Sequence, residues 1–372
     1  MIILGVLLYE VRKEVLMEQI DIKSLNYEEL QEVMLSIGEK AFRGKQIYEW
    51  LHKKAVEDFD AMSNLSKSLR ERLKEKFYIA ETKMIDKLVS KDGSTTKFLF
   101  GLRDGRVIES VLMKYKHGNS VCISSQVGCR MGCNFCASTL GGLERNLEVS
   151  EMLGQIYAIQ NISGERVSNV VIMGTGEPMD NFDNFVKFVR MLTDEHGYNI
   201  SQRNITVSTC GLVDKIKQLA KEKFSITLAI SLHAPNDELR KTLMPIANKY
   251  SIAEIMEACD YYYAETGRRI SFEYSLVKDE NDSEACATEL AHLIRRKNCH
   301  VNLIPVNPIK ERNYKDSDAG FVQKFKNTLE KFGINVTIRR EMGRDIDAAC
   351  GQLRKSYMDK KEEEKHEDIF HN

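Results

Sequence analysis

The sequence lacks an excess of charge of either sign. Its 54 lysines and arginines nearly balance 55 aspartates and glutamates, so the formal net charge is −1. A dedicated nucleic-acid-binding protein usually carries a clear basic excess, and the overall composition does not indicate one. Binding of a nucleic acid would therefore depend on local basic patches: Lys67–Lys76, Arg295–Lys297, and Arg339–Arg340 with Arg344. Each patch is equally typical of a solvated helix face or strand end.

The sequence also lacks a long apolar run and a disulfide framework. The apolar start, Met1–Leu8, is too short to span a bilayer, and charges follow at Glu10 and Arg12. No basic region precedes it and no small-residue cleavage site follows, so we do not expect a signal peptide; Met17 is an alternative start. Nine cysteines, an odd number with three close together, favour a reducing compartment. We therefore predict a cytoplasmic protein with no membrane partner.

What the sequence does contain is the stretch V-C-I-S-S-Q-V-G-C-R-M-G-C-N-F-C at residues 121–136. Its last three cysteines, Cys129, Cys133 and Cys136, have the spacing C-x3-C-x2-C. A tight loop can turn three such thiolates toward three corners of an iron–sulfur cubane, which leaves the fourth iron without a protein ligand. A free metal position is typical of catalytic sites. Zinc is the alternative, but it would need a fourth ligand from elsewhere in the chain.

The cysteine loop, with an aromatic residue just before its last cysteine, resembles that of radical S-adenosylmethionine enzymes. Four later segments extend the resemblance: G-T-G-E-P at 174–178, I-S-L-H-A-P-N-D at 230–237, V-N-L-I-P-V-N-P at 301–308 and D-I-D-A-A-C-G-Q-L at 345–353. In this order they resemble the bacterial dual-specificity RNA adenine C2-methyltransferases, over most of the chain from about Leu25 to Leu353. The resemblance implies methylation of adenine-2503 in 23S rRNA and adenine-37 in tRNA.

The resemblance also implies the cofactors and their ligands. A [4Fe-4S] cluster on Cys129, Cys133 and Cys136 would bind S-adenosylmethionine, of which two molecules are used in each turnover. The implied S-adenosylmethionine contacts are Gly176, Glu177, Ser208, Ser231, Leu232, His233 and Asn307. The implied partners are 23S rRNA, tRNA and a reducing electron donor such as flavodoxin or ferredoxin, and we expect a monomer.

In the mechanism that the resemblance implies, Cys350 takes a methyl group from one S-adenosylmethionine, and a deoxyadenosyl radical from the second removes a hydrogen from it. The carbon radical adds to C2 of adenine and joins RNA to protein. Glu109 matches the base that takes the C2 proton. Cys122 matches the thiol that attacks the sulfur of Cys350, forms a transient disulfide and releases the RNA. From the pattern alone, Glu109 is equally consistent with a surface charge on an edge strand. The remaining cysteines, Cys210, Cys259, Cys286 and Cys299, are predicted to be buried small hydrophobes.

Periodicity predicts three structured regions between an N-terminal extension (1–24) and a charged, unfolded tail (354–372). Residues 25–80 show helical spacing, with Asn26 and Ser63 as candidate caps. The resemblance implies that this region is an RNA-contacting domain. From periodicity alone, Tyr48 and Trp50 could equally well pack in a helical core. Residues 81–116 alternate and contain two hairpin signals, 92–93 and 104–105, which predict a small antiparallel sheet.

Residues 117–353 contain apolar strands that alternate with amphipathic helices. The predicted strands are Asn169–Met173, Asn204–Thr209, Ser225–Ser231, Arg269–Val277, Val301–Val306 and Asn335–Arg339. The predicted helices are Val149–Gln160, Asn181–Leu192, Leu212–Lys221, Ile252–Glu265, Ser283–Arg296 and Asp318–Lys331. This alternation predicts an α/β fold with parallel strands. The resemblance implies a partial (β/α)6 radical S-adenosylmethionine barrel, whose active site should lie at the carboxyl ends of the strands.

Two other functions fit parts of the pattern. A C8-methylating sibling that confers ribosomal antibiotic resistance shares the cysteines, but Glu177-Pro178 and Ile304-Pro305 resemble the C2 enzymes more closely. A zinc-stabilised RNA-binding module without catalysis would use the cysteines as structural ligands. Anaerobically purified protein that is colourless and holds one zinc would support the module, and 8-methyladenosine as the only product would support the sibling.

Overall fold

The computed structural model describes residues 19–116, 118–309, 311–340 and 342–348, and its centre is a ten-stranded sheet. The strands are β1 (Ile20–Asp21), β2 (Phe77–Tyr78), β3 (Lys83–Val89), β4 (Thr95–Gly101), β5 (Val107–Tyr115), β6 (Gly118–Ile123), β7 (Gln126–Gly128), β8 (Leu143–Asn146), β9 (Val167–Ile172), β10 (Ile205–Thr209), β11 (Thr227–Ser231), β12 (Ile270–Leu276), β13 (Cys299–Pro305) and β14 (Asn335–Ile338). The α-helices are α1 (Tyr27–Ser36), α2 (Phe42–His52), α3 (Lys67–Lys76), α4 (Val149–Ser163), α5 (Phe182–Thr193), α6 (Val213–Lys221), α7 (Asp237–Leu243), α8 (Ile252–Thr266), α9 (Glu284–Ile294) and α10 (Ala319–Lys331).

The large sheet has the strand order β14-β13-β12-β11-β10-β9-β6-β5-β4-β3. Strands β6 and β9 to β14 run parallel, and β3, β4 and β5 are antiparallel. All six predicted parallel strands are present, and β6, which precedes the cysteine loop, adds a seventh. Because β5 also pairs with β6, the predicted antiparallel strands continue the parallel array.

Helices connect successive parallel strands, as the alternating pattern predicts. Their apolar faces cover one side of the sheet; in α5, for example, Phe185 and Phe188 are fully buried in the same core as Val170 of β9. Each strand therefore ends at the same edge, and the loops that carry the sequence motifs meet there. One helix was not predicted: α7 has seven residues, too few to show a helical period, and begins after the cap Asn236.

The N-terminal helices pack on this core. Asn26 forms a capping box with Glu29 at the start of α1, which confirms it as a cap. Ser63 is not a cap; Ser66 begins α3 and its side chain accepts the Leu69 N–H. Tyr48 is fully buried, so its ring belongs to the core.

Several smaller predictions can be compared with the described residues. Tight turns do connect β3 to β4 and β4 to β5 at the two hairpin signals. Cys259 is buried, as predicted, whereas Cys286 and Cys299 are only half-buried; they lie near the first residues of α9 and β13. Within the ranges given above, the helices are too short or too polar to cross a bilayer.

Candidate active site

An open cavity of about 1000 Å³ lies at the carboxyl ends of β9 to β13. The sequence-predicted residues that line it are Cys129, Cys133, Cys136, Gly176, Glu177, Ser208, Ser231, His233 and Asn307. Leu232 is the exception among the predicted contacts. Its side chain is fully buried in the core, and its carbonyl accepts a hydrogen bond from Arg240 Nε at 3.1 Å.

The cysteine loop is held tightly between β7 and α7. Gly128 has a φ of 74°, and a Cβ at this position would lie 1.9 Å from the carbonyl oxygen of Gly142. Asn134 anchors the middle of the loop, since its backbone N–H and its side-chain amide donate to the carbonyls of Leu243 (2.9 Å) and Thr242 (2.6 Å). The loop therefore presents its thiols from a fixed frame.

The three thiols interact electrostatically. Burial raises the pKa of the Cys133 thiol, and the nearby Cys136 and Cys129 raise it further. Burial also raises the pKa of Cys129 to about 12, although the Met131 N–H donates to its sulfur and opposes this shift. Thiols in such a place stay protonated until a cationic metal centre replaces their protons. Three soft sulfur donors at the wall of this cavity fit an iron–sulfur cluster with one open iron. In the described ranges, no group of three or more histidine, cysteine, aspartate or glutamate side chains is arranged to hold a single metal ion.

Glu177 lies opposite the cysteine loop and is 4% exposed. Its two carboxylate oxygens accept the N–H groups of Met179 (3.0 Å) and Cys210 (2.8 Å). Burial raises the pKa of Glu177, and these two backbone hydrogen bonds oppose the rise. The side chains of Thr209 and Cys210 also donate to this carboxylate, which lines the cavity, and in its ionised form it would attract an ammonium group there.

Gly176 shows why this turn requires glycine. Its φ is 106°, and a Cβ would lie 2.6 Å from the Cβ of Gln126. We expect Gly176→Ala to weaken S-adenosylmethionine binding by about tenfold or more, because the turn carrying Glu177 must shift. Equilibrium binding to the reconstituted protein would measure this. Gly164→Ala is the matched control, since Gly164 also has a positive φ, 69°, but has open space around it at the end of α4. Equal affinity of Gly176→Ala and the wild type would contradict the expectation.

His233 contributes a neutral donor to the cavity. Its Nδ1 accepts the Ser275 N–H at 2.9 Å, and burial lowers the pKa of the ring to about 3. A neutral imidazole that accepts at Nδ1 carries its proton on Nε2, so the Nε2–H is the donor available to a ligand. Nearby, the hydroxyls of Ser208 and Ser231 are 3.1 Å apart.

Two residues of the cavity region escaped the sequence analysis. Arg240 is fully buried and donates to the carbonyls of Cys210 (2.6 Å) and Ser231 (3.3 Å), which joins the ends of β10 and β11. Glu273 lines the cavity, and burial raises its pKa. The alternation of polar residues at 271, 273 and 275 with apolar ones in β12 could have indicated Glu273, because alternate strand residues face the same side.

Glu109 and Cys122 form a second group of predicted residues. Val111 is directly opposite Cys122 in the β5–β6 pair, and Glu109 lies two residues before Val111 on the same face. Side chains in this diagonal relation are about 7–8 Å apart or less. Glu109 is 3% exposed, which excludes the interpretation as a surface charge. The neighbourhood is not purely apolar, because Lys97 Nζ lies 3.4 Å from Glu109 Oε1.

Cys350 itself lies outside the described residues, but the segment that leads to it is described. Ala348 packs in the same buried cluster as Val111 and Cys122, and Met342 and Ile346 pack against this cluster. Glu109 also lines a second open cavity of about 1090 Å³, and Ser138 lines both cavities. The two spaces are therefore neighbours.

Comparison with known proteins gives consistent results. Residues 20–79 match the family model of the ribosomal RNA large subunit methyltransferase N-terminal domain, and residues 123–289 match that of the radical SAM superfamily. The chain is 66% identical over 343 residues to the protein named probable dual-specificity RNA methyltransferase RlmN of Lachnoclostridium phytofermentans, covering 92% of this chain and 96% of the relative. A protein of the same name from Lachnospira eligens is 66% identical over 339 residues, covering 91% of this chain and 97% of the relative. The crystal structure of a radical SAM methyltransferase from Sphaerobacter thermophilus is 43% identical, with a TM-score of 0.87 over 90% of this chain and 99% of that one.

Proposed function

This chain belongs to the RlmN family of dual-specificity RNA methyltransferases within the radical S-adenosylmethionine superfamily, and on that premise we propose that it methylates C2 of adenine. The proposed targets are adenine-2503 of 23S rRNA and adenine-37 of tRNA. One observation supports the proposal most directly: Glu109 and Cys122 share a face of the sheet, and the segment leading to Cys350 packs on that face. Ala348, which lies in one buried cluster with Cys122, is two positions before Cys350 in the sequence.

Each side of the cavity has a proposed role in binding. Cys129, Cys133 and Cys136 would hold a [4Fe-4S] cluster, and Glu177 would accept hydrogen bonds from the ammonium group of S-adenosylmethionine. His233 would donate through Nε2. When bound, S-adenosylmethionine supplies a methyl cation equivalent, and together with the cluster it supplies a 5′-deoxyadenosyl radical. The contribution of the protein is to hold the cluster and S-adenosylmethionine together in one cavity, which adjoins the second cavity at Ser138.

The proposed steps on RNA are assigned to Glu109, which lines the second cavity, and to the thiols of Cys122 and Cys350. C2 of adenine is electrophilic, so it does not attack a sulfonium methyl group directly, and a carbon radical derived from a methyl group on Cys350 adds to it instead. Glu109 then takes the C2 proton, for which its position in the cavity wall is suitable. The adduct also loses one electron, for which the oxidised cluster would be the acceptor. Cys122 then attacks the sulfur of Cys350: the sulfur–carbon bond breaks, the freed carbon takes up a proton to become the methyl group of the released RNA, and the proposed electron donor reduces the resulting disulfide before the next turnover. The adenine must leave its stack to enter, which loops of rRNA and tRNA permit.

The N-terminal helices are the proposed RNA contact. Helix α3 carries the patch Lys67–Lys76, in which Arg72 and Lys74 already form ion pairs within the protein while Lys67 and Lys76 are exposed. Phe42, 49% exposed at the start of α2, has the Arg43 guanidinium 4.9 Å from its ring centre. An exposed ring and a nearby cation suit a stacked base. We further propose a monomer in the cytoplasm that receives electrons from flavodoxin or ferredoxin; an odd number of cysteines, three of them in one loop, suits a reducing compartment.

The decisive experiment is anaerobic reconstitution with iron and sulfide, followed by incubation with a reductant, labelled S-adenosylmethionine and RNA that lacks the modification. We expect 2-methyladenosine in the digested RNA, 5′-deoxyadenosine in solution and iron in the protein. Exclusive 8-methyladenosine would overturn the proposed regiochemistry. A colourless protein with one zinc and no 5′-deoxyadenosine would overturn the enzyme assignment and support the RNA-binding module.

A further inference from the structure

Lys97 is a buried lysine that the proposed mechanism does not use. It lies in β4, is 6% exposed and stands opposite Val111, which in turn stands opposite Cys122. Lys97, Val111 and Cys122 therefore form one row across three strands. The Lys97 ammonium lies 3.4 Å from Glu109 Oε1 and donates to the backbone carbonyl of Asp347 at 3.2 Å. One side chain thus connects the proposed base with the segment that precedes Cys350.

The segment 342–348 is seated on the start of β4 by further contacts. The Lys91 N–H donates to Asp345 Oδ2 at 2.9 Å. Gly343 packs so closely that a Cβ would lie 2.7 Å from Thr95 Cγ2. Asp347 has a φ of 50°, so its carbonyl is presented by a left-handed turn. The ammonium of Lys97 therefore meets a carbonyl in a defined backbone conformation.

We propose that Lys97 is a positioning residue that holds the Glu109 carboxylate and the segment leading to Cys350 in a fixed relation during RNA methylation. A buried ammonium is costly unless its donors are satisfied, and Glu109 with Asp347 satisfies two of the three at once. If only the Glu109 carboxylate or only the Asp347 carbonyl were in contact, the ammonium would be less well paired. The free energy of pairing therefore favours the state in which Glu109 and the segment 342–348 both contact Lys97. This inference rests on the proposed function, because it assigns Lys97 a role in the step that Glu109 performs.

The test compares three steps in Lys97→Met, which removes the charge and keeps a similar apolar stem. We expect methyl loading of the protein, assayed with labelled S-adenosylmethionine before RNA is added, to stay within about twofold of the wild type. RNA methylation should fall by about tenfold or more, and a covalent RNA–protein adduct should accumulate, as we also expect for Glu109→Gln, because the proton is not removed. Lys97→Arg keeps the charge and should release part of the adduct.

Lys87→Met is the matched control, since Lys87 is an exposed lysine on the neighbouring strand β3, opposite Phe98. It should behave as the wild type in every assay. Wild-type RNA methylation by Lys97→Met, or loss of methyl loading together with RNA methylation, would overturn the proposed role, the second because it indicates general misfolding.

A measurement without RNA separates this inference from the proposed function. Amide hydrogen exchange of residues 342–348 should become about tenfold faster in Lys97→Met and remain unchanged in Lys87→Met, because the Asp347 carbonyl loses its buried donor. Unchanged exchange in Lys97→Met would overturn the inference even if the wild type methylates RNA. Absence of methylated RNA from the wild type would count against the proposed function alone.

Discussion

Replacing Cys122 by alanine is expected to trap the RNA on the protein. In the proposed sequence of steps, Cys122 is the thiol that attacks the sulfur of Cys350 and releases the methylated product. Cys122 is 8% exposed and packs in one cluster with Ala348, two residues before Cys350, so no solvent thiol can easily take its place. We expect turnover to fall by about a hundredfold or more. A covalent RNA–protein species should appear on a denaturing gel, with the mass of the adduct.

Two other cysteine variants make the result interpretable. Cys350→Ala should abolish methyl loading of the protein and methylation of RNA alike, and it should form no adduct. Cys259→Ala removes a fully buried thiol in α8, away from the site, and should behave as the wild type. If Cys122→Ala releases free methylated RNA at the normal yield, Cys122 has no part in the mechanism.

Replacing Cys133 by alanine is expected to remove the cluster and with it all radical chemistry. Cys133 is the middle of the three thiols and lies in a loop anchored through Asn134, so a missing sulfur cannot be replaced by a small shift of the backbone. We expect the reconstituted variant to lack iron and visible absorbance. Formation of 5′-deoxyadenosine should fall by at least about a hundredfold. Iron analysis and chromatography of the small-molecule products measure the two effects.

Cys210→Ala is the informative control for the metal site. Cys210 lines the same cavity, is buried, and is close enough that the ionised Cys133 would raise the pKa of its thiol. A cubane with an open iron needs only three cysteines, so Cys210→Ala should retain iron and produce 5′-deoxyadenosine. A closed tetrahedral zinc site would need a fourth ligand, and Cys210 is the further thiol that lines this cavity among the described residues. Equal loss of metal in Cys133→Ala and Cys210→Ala would therefore support the zinc module.

Much of the fold follows from local pattern. The sequence predicts a helix at Asn181–Leu192, where the structure has Phe182–Thr193, and a strand at Asn204–Thr209, where it has Ile205–Thr209. These elements are predictable because each buries one face, and the spacing of its apolar residues shows which face that is. The cap Ser66 was missed in favour of Ser63 because both are serines near a helix start, and local sequence does not distinguish them. The sequence does not predict β6 as a parallel strand, because its parallel partner, β9, lies more than forty residues further along the chain.

The sequence alone determined the chemistry available to this protein, since three thiols at fixed spacing in one loop and a glycine turn followed by glutamate are properties of short segments. Only the tertiary structure decided the environment of Glu109, which the pattern left open between surface and interior. The environment of Glu109 depends on Lys97, twelve positions earlier, which pairs with it, and on Asp347, more than two hundred positions later, whose carbonyl accepts from Lys97. Contacts between such distant residues are set by strand register and loop packing, and no local period records them.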